Sequence, residues 1–252
     1  LSGNNFSSSK IQSHREEQKV LHRKTSIVIA VLFASLFVTP STSHAETKKN
    51  KVTNTNTPVA KKDKIEKVKC KTTRAAAQTP ARISPPNSIL KRFPRTITLQ
   101  TNCGDIVIQT FAKQAPVTIT VMSALANGGF FNRTLCHRLT TEGIYVLQCG
   151  DPTATGTGGP DFRYRDENLP TAGSANYPEG VVAMANSGPN TNGSQFFLVY
   201  KDTTLGPNYT IWGKIVSGLE IVKFIAEGGV KDGGSDGAPL RTVSIEKATT
   251  GN

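Results

Sequence analysis

The sequence predicts a mostly β fold: an eight-stranded antiparallel barrel, closed or nearly so, capped by two α-helices and preceded by a disordered N-terminal tail. Three observations carry that expectation. Eight short strand-like segments crowd into residues 96–252, the density of a small antiparallel architecture. Only two segments in the same stretch have helical apolar spacing. Charge then divides the chain: residues 46–95 hold 14 Lys and Arg against 3 Asp and Glu, whereas residues 96–252 hold 11 against 13. The net charge of +12 therefore belongs mainly to the tail. A nucleic-acid-binding domain carries its basic patch on the folded part, so nucleic acid is not the expected partner.

Residues 1–45 read as a signal peptide or signal anchor. A basic flank, His22-Arg23-Lys24, precedes the apolar run Ile27–Val38, and Pro40 and small residues lead to Ser43-His44-Ala45. These are the three parts of an export signal. The run has 12 residues, short of the roughly 20 that span a bilayer. The rest of the chain is expected outside the cytoplasm, secreted or attached to the membrane by its N-terminal segment. Residues 46–92 are rich in Lys, Thr, Asn and Pro and poor in large apolar side chains. Such a stretch cannot bury enough surface to offset its ordering entropy, and it reads as a basic disordered linker. A solvated spacer is the first reading of it, and weak contact of its lysines with acidic envelope polymers or anionic lipid is the alternative.

The domain is expected over 93–252. TITLQT (96–101) and GDIVIQTF (104–111) read as a hairpin. PVTITVMSALANGG, from Pro116, has Pro in its first turn and Gly past its end, as a helix does. Further strands are expected at 135–140, 144–149, 180–185, 194–200, 210–215 and 240–247. A second helix is expected at 217–227.

Elimination narrows the chemistry. The domain holds one histidine, His137, which leaves no His-rich metal site. Cys136 and Cys149 lack the paired spacing of structural zinc. Neither a phosphate-binding P-loop nor a nucleophile elbow is present. What remains is a set of polar residues inside apolar strands: Arg138 in LCHRL, Gln148 in YVLQCGD, and the segment MANSGPNTNGSQFFLVY. The centre of that segment has the Gly, Asn and Pro of tight turns.

Taken in order, CHRLTTEGIYVLQCGD, GTGGPDFRYRDENL, GVVAMANSGPNTNGSQFFLVY and IWGKIVSGLEIVKFIA resemble the cyclophilin family of peptidyl-prolyl isomerases, and among them exported bacterial members. The resemblance covers residues 95–248 and none of 1–92. It implies a cyclophilin-like barrel, rotation of X-Pro bonds in proline-containing polypeptides, no cofactor, and a role in folding exported proteins. It also implies a site. Arg138 stands at the catalytic arginine, and Gln148 at the glutamine that holds the substrate backbone. Tyr145 and Val146 fall where the prolyl pocket is lined. Ala185 and Asn186 match the pair that binds the residue before proline. Gln195 and Phe197 match the inward side chains of SQFF. Leu205 matches the pocket leucine, and Tyr209 stands where many members have His. Two extra residues between Arg138 and Tyr145 depart from the family spacing. A non-catalytic module or holdase gripping proline segments is the alternative, although a pure binder has no use for Arg138. The chain is read as a monomer.

The four cysteines of an exported chain allow three complete pairings. If Thr141–Ile144 form the loop of the 135–149 hairpin, Cys136 and Cys149 face each other. Opposed residues on antiparallel strands are about 4.5–5.5 Å apart at Cα, within disulfide range. A Cys136–Cys149 bridge is the expectation, with Cys70–Cys103 a second candidate and small buried thiols the alternative.

Overall fold

The computed structural model describes residues 68–252. The apolar segment Ile27–Val38, the Ser43-His44-Ala45 end of the export-like segment and residues 46–67 lie outside them.

A first hairpin pairs β1 (Thr96–Thr101) with β2 (Gly104–Thr110) in the register Ile97↔Ile108 and Leu99↔Ile106. Those four side chains all point inward and are at most 2% exposed, as the period-2 alternation of a strand requires. Helix α1 (Pro116–Asn127) follows. Pro116 costs nothing in the first turn, where its missing N–H has no partner anyway. The open amides of Val117 and Thr118 donate to the carboxylate of Glu167 at 3.1 and 2.8 Å, where a negative charge suits the helix N-terminus.

Eight more strands complete one sheet: β3 (Thr134–Leu135), β4 (Arg138–Thr140), β5 (Val146–Cys149), β6 (Val181–Met184), β7 (Phe196–Val199), β8 (Ile211–Ser217), β9 (Asp236–Gly237) and β10 (Ser244–Gly251), with helix α2 (Leu219–Glu227) before β9. The strand order is β3-β10-β1-β2-β8-β6-β7-β5-β4-β9, and every pairing is antiparallel. The result is a mostly β curled half-barrel with two helices.

Ten strands replace the expected eight, for two local reasons. The segment 135–140 is divided because its backbone changes partners. Cys136 N–H donates to Val243 on the β10 side at 3.1 Å, and His137 N–H donates to Gln148 on the β5 side at 3.0 Å. Residues 228–240 supply the other addition. They fold back on themselves through a Val230↔Pro239 bridge, which presents Asp236-Gly237 to β4 and delays the last strand to Ser244 instead of residue 240.

β6 and β7 are apolar on both faces and buried on both, which explains the unbroken runs VVAM and FFLV. Val182, Met184, Phe196 and Leu198 face the main core with Trp212, Phe130 and Phe131. Val181, Ala183, Phe197 and Val199 face a second cluster with Val146 and Tyr177. That second cluster underlies the site.

Residues 68–92, read above as part of the disordered linker, lie along the domain without regular secondary structure. Composition misses this because the contacts that order the strap are long-range. Cys70 is joined to Cys103 by a disulfide. Lys71 N–H donates to Asn102 O at 2.8 Å, and Gln78 N–H to Pro152 O at 2.8 Å. Thr73 Oγ1 donates to Glu246 at 2.6 Å, and Val68 and Ile83 pack against the main core.

Candidate active site

The site is built on the β4–β5 hairpin. Its register is Arg138↔Gln148, Leu139↔Leu147, Thr140↔Val146. The loop is therefore Thr141–Tyr145, one residue longer than expected. Arg138 and Gln148 lie directly opposite each other, and the Arg138 Nη1 donates to Gln148 Oε1 at 3.1 Å. Gln148 Nε2 donates to Gln195 Oε1 at 2.8 Å. Gln195 Nε2 in turn donates to the carbonyls of Gly156 and Gly158 at 3.0 and 2.8 Å. Three polar side chains taken from three separate sequence motifs thus form one chain of hydrogen bonds.

Its far end rests on Asp151, a fully buried carboxylate. Asp151 accepts the amides of Thr153, Thr155, Gly156 and Gly158 at 2.7–3.1 Å. Burial alone would raise its pKa. The Thr153 hydroxyl and the surrounding amides more than offset this and hold the carboxyl below its ordinary value. The loop 151–158 is ordered by that one side chain rather than by a ladder.

Beside Arg138 a cavity of about 190 Å³ opens, lined by Ile144, Val146, Gln148, Ala185, Asn186, Phe197, Leu205 and Tyr209. Drug-sized ligands occupy pockets of about 300–1,000 Å³, so this one suits a single small apolar group. Phe197 and Tyr209 meet edge to face at 5.6 Å. Tyr177, a residue the sequence reading missed, is fully buried beneath them. Its hydroxyl accepts the Tyr209 amide at 3.0 Å. Asn186 Nδ2 donates to Asn208 O at 2.8 Å, tying the MANSGPNTNGSQFF turn to the 203–209 loop. Gly188 and Asn190 take positive φ values of 122° and 60° in that turn, a conformation Gly and Asn adopt at low cost.

One expected lining residue stands elsewhere. Tyr145 is outside the cavity: its ring packs against Tyr200 at 6.0 Å and lies under Lys201 Nζ at 4.2 Å. Val146 and Gln148 of β5 face the cavity, and Ile144 of the preceding loop joins them in place of Tyr145. Gln195 lines an adjoining polar cavity of about 160 Å³ with Gly156–Gly159, Arg163 and Thr191. Ala185 and Asn186 border both.

Cys136 and Cys149 are bonded to each other. The bond does not use the ladder register assumed for it, because Cys136 lies before β4 begins. Burial, helped by the Arg138 charge, holds the His137 pKa below its ordinary value against the opposing charge of Asp151. Its ring is absent from the cavity lining. Among the described residues all four cysteines are in disulfides, and no group of three His, Cys, Asp or Glu side chains gathers as metal ligands would. The site offers a guanidinium hydrogen-bonded to Gln148, side-chain amides and an apolar pocket.

Comparison with known proteins agrees with that inventory. Residues 96–250 match the family model described as cyclophilin type peptidyl-prolyl cis-trans isomerase. A protein of Mycobacterium leprae, named "Probable peptidyl-prolyl cis-trans isomerase B", is 46% identical over 166 residues, covering 61% of this chain and 56% of its own length. Its counterpart in Mycobacterium tuberculosis is 45% identical, with 52% of its length covered, so the chain spans little more than half of these relatives. The peptidyl-prolyl cis-trans isomerase-like 3 protein of Dictyostelium discoideum is 36% identical, with 94% of its length covered. A crystal structure of a Cryptosporidium parvum cyclophilin type isomerase superposes with a TM-score of 0.55 at 29% identity, covering 64% of this chain and 99% of that one. The same protein has been crystallised in the presence of the dipeptide Ala-Pro. With its family model matched across nearly the whole domain, the chain belongs to the cyclophilin-type peptidyl-prolyl cis-trans isomerases.

Proposed function

We infer that this chain accelerates cis–trans rotation of X-Pro bonds in polypeptides that fold outside the cytoplasm. The observation that carries the catalytic part is the guanidinium of Arg138, fixed at the rim of an apolar cavity sized for one small ring. Rotation about the amide is opposed by a barrier of about 18–20 kcal/mol because the nitrogen lone pair is delocalised. Twisting the bond localises that pair on the prolyl nitrogen. With the ring held against Phe197, Leu205 and Tyr209, and the backbone held by Asn186 and Gln148, the guanidinium faces the twisting amide. A cationic donor placed there favours the twisted state over either planar one. No covalent intermediate is required.

The Ala-Pro dipeptide of the Cryptosporidium experiment supports a prolyl ring as the occupant here. The full chain added to an X-Pro peptide should shorten its relaxation well below the tens to hundreds of seconds of the uncatalysed reaction. Excess Ala-Pro should slow the catalysed rate. Unchanged relaxation at micromolar protein would remove this reading.

Location outside the cytoplasm rests on the export-like segment 22–45 and on two disulfides, which persist in oxidising compartments. The basic residues of 46–67 would then meet acidic envelope polymers or anionic lipid. Fractionation of cells making the chain should find it beyond the cytoplasmic membrane; a full-length cytoplasmic pool would contradict that.

A further inference from the structure

The geometry points to Asp236 as a positioning residue that fixes the plane of the Arg138 guanidinium; this rests on the isomerase reading and adds to it a residue outside the matched motifs. Asp236 takes the guanidinium side-on through two parallel bonds, Nε to Oδ1 at 2.7 Å and Nη2 to Oδ2 at 2.7 Å. Such a fork fixes orientation as well as distance. Gln148 takes Nη1 at 3.1 Å. A guanidinium has five N–H groups. Three are committed, which leaves one on each Nη for an incoming amide.

The backbone around Asp236 is arranged to deliver it. The segment 228–240 closes on itself through Val230↔Pro239 and through Lys231 N–H to Ala238 O at 2.9 Å. Its tip is fastened to the catalytic hairpin by the pairs Thr140↔Asp236 and Leu139↔Gly237 and by Thr141 N–H to Ser235 O at 2.8 Å. β9 has two residues and buries no large side chain, so its place in the sheet gains little from packing. What it does is hold a carboxylate against Arg138.

The need for it follows from exposure. The Arg138 side chain is 38% accessible, and a long exposed arginine samples many rotamers. Gln148 restrains one nitrogen only. Without the fork the guanidinium keeps its charge and loses its aim, and small misplacement of a catalytic group is expensive in rate.

The test is a double-mutant cycle in the full chain, with Asp236→Ala and Arg138→Ala alone and combined. Asp236→Ala should lower kcat/KM by about tenfold, with ground-state affinity for an Ala-Pro peptide changed less than about twofold. Asp236→Asn, which keeps one acceptor, should fall between Asp236→Ala and the parent. In the Arg138→Ala background, Asp236→Ala should have no further effect, because there is nothing left to aim. A variant with Asp236→Ala at the parent rate beside a silenced Arg138→Ala would overturn the role of Asp236 alone. Losses that multiply across the cycle, or a rate that rises, would overturn it too. An Arg138→Ala chain with intact turnover would remove the isomerase reading as well.

Discussion

The strap at residues 68–92 and the hairpin at residues 136–149 are each tied by one disulfide, but the bonds act on different kinds of chain. The hairpin is already specified by its ladder, by Leu139 and Leu147 in the core and by pairing on both sides. Cys136 and Cys149 are 4% and 0% exposed. The strap has no ladder and few buried side chains, and Cys70 at its start is exposed. One bond stiffens order that packing has already produced; the other supplies order that packing cannot.

That difference sets the largest expected effect. Replacing Cys136 and Cys149 with Ser should lower global stability by about 3 kcal/mol in the chain-entropy model for so short a loop. Cys70 and Cys103 close a longer loop, 33 residues apart, for which the same model gives close to 4 kcal/mol. The comparison predicts the opposite ranking. The strap precedes β1 and can detach without unfolding the sheet, so its loss shows as local opening rather than as the full chain-entropy figure. Chemical denaturation of the two double variants measures the ranking. Global destabilisation by Cys70→Ser/Cys103→Ser equal to that of the other pair would break the comparison.

Accessibility sharpens it. Under mild reduction and thiol labelling, exposed Cys70 should react first, while Cys136 and Cys149 stay unlabelled until the domain unfolds. Limited proteolysis of the reduced protein should then cut within 71–92 and leave the remainder intact. Simultaneous labelling of all four cysteines would contradict the picture.

A smaller effect concerns the loop 151–158, which, like the strap, lacks regular structure but is ordered from inside by Asp151. Its folded pKa is depressed, so its contribution is complete above the unfolded value of about 3.9 and is lost as pH falls through the lower folded value. Asp151→Asn should therefore be less stable than the parent at pH 6, with the gap narrowing as pH falls below 4. A constant gap would mean that the carboxylate charge is not what orders the loop.

The elements most legible in the sequence are those whose side chains alternate or repeat against one core. β1, β2, α1 and the twin-faced strands β6 and β7 follow from apolar spacing alone. The Arg138–Gln148–Gln195 chain was legible only through motif resemblance, since an arginine within a strand ordinarily faces solvent. Tyr145 precedes β5 and stands outside the cavity that Val146 lines, while Ile144 joins the lining; a motif spacing that departs from the family by two residues did not show which of the two turns inward. Asp236 was not legible. It lies 98 residues from Arg138 in KDGGSDGA, which reads as a turn. Nor was the order of 68–92, because composition registers the core a segment carries and not the surface it can be fastened to.

Arg138, held by Asp236 and Gln148 beside the pocket, is proposed to lower the rotation barrier rather than merely to bind proline. NMR exchange on an Ala-Pro peptide measures interconversion and affinity in one sample. With Arg138→Ala, exchange catalysed by the full chain should fall by about 10²–10³-fold, while the bound fraction of peptide stays near that of the parent. Undiminished exchange in a folded Arg138→Ala chain would contradict the account, as would an exchange loss fully explained by lost binding.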